Sequence, residues 1–168
     1  MNTRAPTSVV IIDDHPLFRK GVSQLLALND KLQLIGEASS GEEGLEIARA
    51  LEPDLILLDL NMKGMGGIET LRALREADLA ARILILTVSD AADDLVAAIR
   101  AGADGYLLKD MEPEDLLARI VEALRGRIVI TESLSGLLAR SLREEAQAAE
   151  RSLAPLTERE KDILGCLA

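Results

Sequence analysis

Four of the short aliphatic runs in this chain are near-continuous, at residues 9–12, 55–58, 83–86 and 106–108. A strand with one wet face alternates apolar and polar residues, so an unbroken run marks a strand covered on both faces. A fifth run, 32–35, alternates more and suits a sheet edge. Between the runs lie segments of helical period, at 17–28, 41–51, 68–77, 93–101 and 113–124. Strand and helix therefore alternate five times. That pattern specifies a doubly wound α/β domain, a five-stranded parallel sheet with right-handed crossovers.

Composition agrees with such a core. The only aromatic residues are Phe18 and Tyr106, so the interior must be aliphatic. Pro16 and Pro113 suit first helical turns, where a missing N–H costs little. Gly102 and Gly126 suit the residues that end helices, and Pro53 closes the second helix before the third strand. The formal net charge of -10 repels phosphate backbones, which makes this portion a poor candidate for direct nucleic-acid binding. The single cysteine, Cys166, has no internal partner and fits a reducing cytoplasm. No apolar stretch is long enough to span a bilayer, and residues 1–7 carry no apolar export signal.

Residues 1–127 thus read as one domain. Residues 128–155 change character and read as a partly helical linker, rich in Ala, Leu, Ser, Arg and Glu, in which 144–149 lack a strong apolar face. At 156–168 a new helix is expected, because Thr157 with Glu160 three residues on forms a capping box. One amphipathic helix cannot bury its face alone, so this segment reads as the first piece of a truncated second domain.

In open α/β sheets, ligands bind beyond the carboxyl ends of the strands. The first run ends in Asp13-Asp14, the third in Asp59, the fourth in Thr87, and the fifth just before Lys109. Each residue alone has an ordinary explanation as a turn, cap, strand or surface residue. Together they make a site of three carboxylates, a hydroxyl and an ammonium, without a histidine base or a thiol nucleophile. Hard oxygen donors of this kind suit Mg²⁺. A carboxylate beside such an ion can attack phosphorus to form an aspartyl phosphate, and Lys109 can hold a phosphoryl oxygen as a point charge.

The stretches Ile11-Ile12-Asp13-Asp14-His15-Pro16, Leu57-Leu58-Asp59-Leu60-Asn61-Met62 and Gly102-Ala103-Asp104-Gly105-Tyr106-Leu107-Leu108-Lys109, together with Thr87, resemble the response-regulator receiver family. Asp-Asp-His-Pro and the Gly-Ala-Asp-Gly-Tyr stretch point to its NarL/FixJ subfamily, and Asp110-Met111-Glu112-Pro113-Glu114-Asp115-Leu116-Leu117 is similar to that subfamily's nitrate/nitrite-responsive members. Leu156-Thr157-Glu158-Arg159-Glu160 is similar to the start of a LuxR-type helix-turn-helix domain.

The resemblance implies a flavodoxin-like strand order of 2-1-3-4-5. It implies that Asp59 accepts phosphate from a sensor histidine kinase. Asp13 or Asp14, with Asp59 and the Asn61 carbonyl, would bind Mg²⁺, and Lys109 would contact the phosphoryl group. Thr87 and Tyr106 would form a switch pair in which the hydroxyl moves to the phosphate and the ring fills the space left. The output would be transcription control through the C-terminal DNA-binding domain, with homodimerisation on phosphorylation and RNA polymerase as a further partner. This is a switch rather than an enzyme. A dehalogenase-type phosphatase wants a second acid two residues after its nucleophile, and Asn61 stands there. A nucleotide module wants a glycine fingerprint after the first strand, which Asp13-Asp14-His15-Pro16 replaces.

The chain departs from the family pattern in places. Lys63 replaces a usual proline, and reads either as a solvated lysine or as a partner for an acidic-site carboxylate. Gly66 and Gly67 are expected to loosen the same loop. Val88 follows Thr87 where a small residue is common, which would narrow access to Asp59. Asp110 replaces a cis proline, so a trans bond is expected. His15, the sole histidine, reads as a surface or capping residue.

Overall fold

The computed structural model describes residues 5–130, 134–136, 139–140, 143–144 and 146–147. The aliphatic runs fold as β1 (Thr7–Ile12), β2 (Leu32–Ala38), β3 (Leu55–Asp59), β4 (Arg82–Thr87) and β5 (Gly105–Leu108). The periodic segments fold as α1 (Pro16–Leu26), α2 (Gly41–Leu51), α3 (Gly67–Glu76), α4 (Ala92–Ala101) and α5 (Pro113–Leu124). Proline opens α1 and α5 as expected, and Gly102 caps α4 in the left-handed conformation.

The sheet has six parallel strands in the order β2-β1-β3-β4-β5-β6, which corrects the expected five. The added strand, β6 (Val129–Ile130), lies just past residue 127 and pairs with β5 through Gly105 and Val129. Two residues are too few to show a period, which is why the pattern did not reveal it. Gly105 is needed at this contact, because a Cβ there would stand 2.6 Å from the Val129 carbonyl oxygen.

Adjacent strand residues face opposite sides of the sheet, and each side carries its own core. Val10, Ile12, Ile56, Leu58, Ile83 and Ile85 pack under α2, α3 and α4. Val9, Ile11, Leu55, Leu57, Leu84 and Leu86 pack under α1 and α5. Burial on both faces is the cause of the unbroken aliphatic runs. The expected linker thus opens with β6, its described residues from 134 onward are helical, and Leu134 and Ala139 are buried. Residues 156–168, including Thr157, Glu160 and Cys166, lie outside the described residues. Among the described residues, no helix is long and apolar enough to cross a membrane.

The end of the sheet where β4 begins is tied by charge. Asp104 accepts from the Ile83 N–H (2.9 Å), from Arg75 (2.6 Å) and from Arg82 (3.3 Å). Arg75 also donates to the Gly102 carbonyl at the end of α4 (2.7 Å) and to Ala81 (2.9 Å). This network locks α3, β4 and the α4–β5 turn together.

The loop after β3 is tighter than expected. Gly64 alone in it uses the left-handed region, with φ 75°. Gly66 is extended, and Gly67 is required by contact rather than freedom. A Cβ on Gly67 would stand 2.4 Å from the Leu60 Cα and 2.5 Å from the Asp59 carbonyl oxygen. The start of α3 therefore rests directly on the backbone that carries Asp59. Gly67→Ala should destabilise the domain by about 1–3 kcal/mol, the usual effect of overpacking. Gly21 sits exposed inside α1 with nothing within 4 Å of an added Cβ. Gly21→Ala should instead stabilise by about 0.5–1 kcal/mol. Urea denaturation of the two variants beside wild type checks both signs.

Candidate functional site

The strand order reverses between β1 and β3, because β1 connects outward to β2 while β3 pairs on its other side. The crevice at such a reversal is where this architecture presents ligand-binding groups. Asp13 follows β1 at one side of it, and Asp59 ends β3 at the other. Thr87 ends β4, and Lys109 follows β5. The fold thus brings together the carboxylates, hydroxyl and ammonium singled out in the sequence.

Asp13 and Asp59 are almost completely buried, at 1% and 2% exposure. Lys109 lies between them, with Nζ 2.7 Å from Asp13 Oδ2 and 3.4 Å from Asp59 Oδ2. The same Nζ stands 4.3 Å from the centre of the Phe18 ring on α1, a cation–π contact that fixes the ammonium's position. Asp13 Oδ1 accepts the His15 backbone N–H (2.8 Å). Arg19 donates to the Asp13 carbonyl, which pins the β1–α1 turn. The Asn61 backbone N–H donates to Asp59 Oδ1 (3.3 Å). Two buried oxygens are left without a hydrogen bond, Asp59 Oδ2 and Asp14 Oδ1.

Burial raises the Asp59 carboxyl above its ordinary value of 3.8, and the Asp13 charge raises it further. Lys109 and the Asn61 N–H oppose this without cancelling it. A buried cluster of carboxylates with unbonded oxygens is a site in deficit of positive charge. Asp13, Asp14, His15 and Asp59 each offer a ligand atom, all within 4.8 Å of one another. These residues fit a divalent cation.

His15 is the site residue that the sequence reading missed. It occupies the N-cap position of α1 without a side-chain cap hydrogen bond, and its side chain is 63% exposed, but Nδ1 turns inward. It lies 3.1 Å from Asp13 Oδ1, 3.1 Å from Asp14 Oδ1 and 3.5 Å from Asp59 Oδ2. Its adjacency to the aspartate pair was the available signal. Lys63 reaches the cluster by its backbone, whose N–H donates to Asp14 Oδ2 (3.2 Å). Val88 is 74% exposed and projects into solvent. The Lys109–Asp110 bond is trans, as expected.

A chain of hydrogen bonds leads away from Thr87. Its Oγ1 accepts from Asn61 Nδ2 (3.2 Å) and from the Ser89 N–H (3.2 Å). Ser89 Oγ donates to Asp94 on α4, and the Ser89 carbonyl accepts the Tyr106 hydroxyl (3.0 Å). The Tyr106 ring is fully buried beneath α4. Burial pushes its phenol from 10.0 up to about 12, with Asp94 and Asp90 adding to the rise and the Ser89 hydrogen bond working against it.

The response regulator receiver domain family matches residues 9–121. The chain is 51% identical over 168 residues to the nitrate/nitrite response regulator protein NarL of Escherichia coli (strain K12), covering all of this chain and 78% of that protein. It is 49% identical over 168 residues to the nitrate/nitrite response regulator protein NarP of the same organism, covering all of this chain and 77% of that protein. A LuxR-family two-component response regulator from Aurantimonas sp. SI85-9A1 has a solved structure that matches with a TM-score of 0.77 at 32% identity, over 82% of this chain and 98% of that one.

Two pH dependences follow from the site. The raised Asp59 value means that its folding contribution is fully present below about 3.8 and is lost as pH rises through the folded value. Cation-free Asp59→Asn should therefore resist urea better than wild type at neutral pH. The advantage should vanish in acid, and a divalent cation should shrink it by stabilising wild type. Tyr106, the only tyrosine, should keep its proton to about pH 12 by near-ultraviolet absorbance. Its contribution is present below about pH 10 and lost as pH rises towards about 12, and Tyr106→Phe should remove that part of the alkaline loss.

Proposed function

The chain belongs to the response regulator receiver domain family, and from that premise we propose that it is a phosphorylation switch whose acceptor is Asp59. The observation that carries this reading is a carboxylate oxygen, Asp59 Oδ2, buried without a hydrogen bond and 3.4 Å from the Lys109 ammonium. That atom is poised as a nucleophile beside a group that can receive negative charge.

In the proposed reaction, Asp59 Oδ2 attacks the phosphorus of a phosphohistidine on a sensor histidine kinase. An O–P bond forms as the P–N bond breaks, and the donor imidazole leaves with the electron pair. Asp13, Asp14 and Asp59, with the Asn61 carbonyl, would hold Mg²⁺, which neutralises charge on the transferring group when bound. Lys109 then exchanges part of its contact with Asp13 for a phosphoryl oxygen. Thr87 exchanges its bond from Asn61 for a donated bond to the phosphate. That exchange alters the Ser89 segment and the packing over Tyr106, so the change reaches α4.

The output is control of transcription. The similarity to NarL and NarP supports a DNA-binding helix-turn-helix domain beginning near residues 156–168, joined to a 1–127 receiver by a 128–155 linker. It also supports a stimulus of nitrate or nitrite, a sensor kinase and RNA polymerase as partners, homodimerisation on phosphorylation, and a cytoplasmic location.

Acetyl phosphate with Mg²⁺ should label wild type and leave Asp59→Asn unlabelled. Lys109→Ala should fold and bind Mg²⁺ but lose most of its labelling rate. Undiminished labelling of Asp59→Asn would place the acceptor elsewhere.

A further inference from the structure

We propose that His15 Nδ1 is itself a ligand of the cation held at this site, and that it shifts the site's preference from Mg²⁺ towards Mn²⁺, Co²⁺ and Zn²⁺. The inference rests on the cation site of the preceding reading and adds a nitrogen donor to it.

The hydrogen bonds of the cluster show which of its oxygens have no partner. Asp13 Oδ1 is taken by the His15 N–H, and Asp13 Oδ2 by Lys109. Asp59 Oδ1 is taken by the Asn61 N–H, and Asp14 Oδ2 by the Lys63 N–H. The two oxygens left over are Asp14 Oδ1 and Asp59 Oδ2, both buried and unbonded. Asp59 is 2% exposed, so its free oxygen cannot be satisfied by bulk water. The nitrogen that neighbours both is His15 Nδ1, at 3.1 Å and 3.5 Å. Adjacent ligands of a six-coordinate ion with bonds of about 2.1–2.2 Å stand roughly 3.0–3.1 Å apart. His15 Nδ1 and Asp14 Oδ1, 3.1 Å apart, are therefore spaced as neighbouring ligands of one small ion, with Asp59 Oδ2 a few tenths of an ångström further from the nitrogen at 3.5 Å.

Local sequence holds the imidazole there. Pro16 disfavours helical backbone at the residue before it, and His15 is extended, with φ -98° and ψ 103°. Its backbone N–H bond to Asp13 fixes the same turn. The ring's outer face is open, so an ion and its waters have a way in. An imidazole nitrogen is a borderline donor. It adds little for Mg²⁺, which prefers oxygen and keeps its waters, and more for Mn²⁺, Co²⁺ and Zn²⁺. The opposing arrangement is a ring that only donates Nδ1–H to Asp13 Oδ1, 3.1 Å away, and never meets the ion.

Calorimetric titration of the full chain separates these. Replacing His15 by alanine, and separately by asparagine, should weaken Mn²⁺ and Co²⁺ binding on the order of tenfold, while Mg²⁺ binding moves by less than about twofold. Electron paramagnetic resonance of bound Mn²⁺ should show nitrogen hyperfine coupling in wild type that both variants lack. This second measurement needs only wild type to fold. Absence of nitrogen coupling in wild type, or an equal change for all ions in the variants, overturns the imidazole ligand while leaving the carboxylate site intact. Failure of wild type to bind any of the ions, Mg²⁺ included, overturns the cation site itself. Asp59→Asn should weaken every ion alike, which marks the shared carboxylate contribution.

Discussion

The molecule is organised around a shortage of positive charge at one spot. Asp13 and Asp59 are buried side by side across the strand crossover, and a single lysine serves both. Unit charges about 4 Å apart interact by roughly 4 kcal/mol at an effective dielectric near 20, several times the net worth of a neutral hydrogen bond. Charge balance therefore outweighs every individual hydrogen bond in the crevice. The supporting features serve that balance. Phe18 holds the lysine from one side, Arg19 pins the turn that carries Asp13, and Gly67 lets α3 press on the backbone of Asp59. What remains uncompensated is the free oxygen of Asp59, and that deficit invites a cation.

Much of this was legible in the residue pattern because burial on both faces leaves a direct mark. The runs at 9–12, 55–58, 83–86 and 106–108 are unbroken since neighbouring residues enter separate cores. Strand ends then located Asp13, Asp59, Thr87 and Lys109 without knowledge of any side-chain position. Other features leave no such mark. β6 is two residues long and has no period. Gly67 reads as flexibility in sequence, yet its role is a backbone contact made by residues distant in pattern. His15 and Phe18 look like helix-start residues, and only the turn of α1 over the crevice aims one at the carboxylates and the other at Lys109. Lys63 reads as a solvated lysine or as an ionic partner; the residue is exposed, and what reaches the cluster is its backbone N–H.

Ser89 is where the charged site meets the rest of the domain. Its N–H binds Thr87, its hydroxyl binds Asp94 on α4, and its carbonyl binds the Tyr106 hydroxyl. One residue thus links the Thr87 hydroxyl to a helix and to a buried ring. Thr87 cannot turn towards Asp59 without giving up its bond from Asn61 and disturbing the one from Ser89. The aliphatic core cannot follow such a change gradually, because close-packed side chains have few alternative arrangements. In the proposed switch, a shift of the Thr87 hydroxyl would therefore be expressed at the Ser89 segment.

The opposite end of the sheet is held differently. Arg75 bridges Asp104, Ala81 and the Gly102 carbonyl, so the C-terminus of α4 is bound to α3 and β4 by charge-assisted bonds. Such bonds are about twice as strong as neutral ones. The N-terminus of α4 begins at Ala91, which has no side-chain cap, and its tie to the β4–α4 loop runs through Ser89 and Asp94. The helix is therefore firmly fixed at one end and conditionally held at the other. In the proposed switch, a change that begins at Thr87 would reach the N-terminal end of α4 through Ser89 and Asp94, while the C-terminal end stays bound to Arg75.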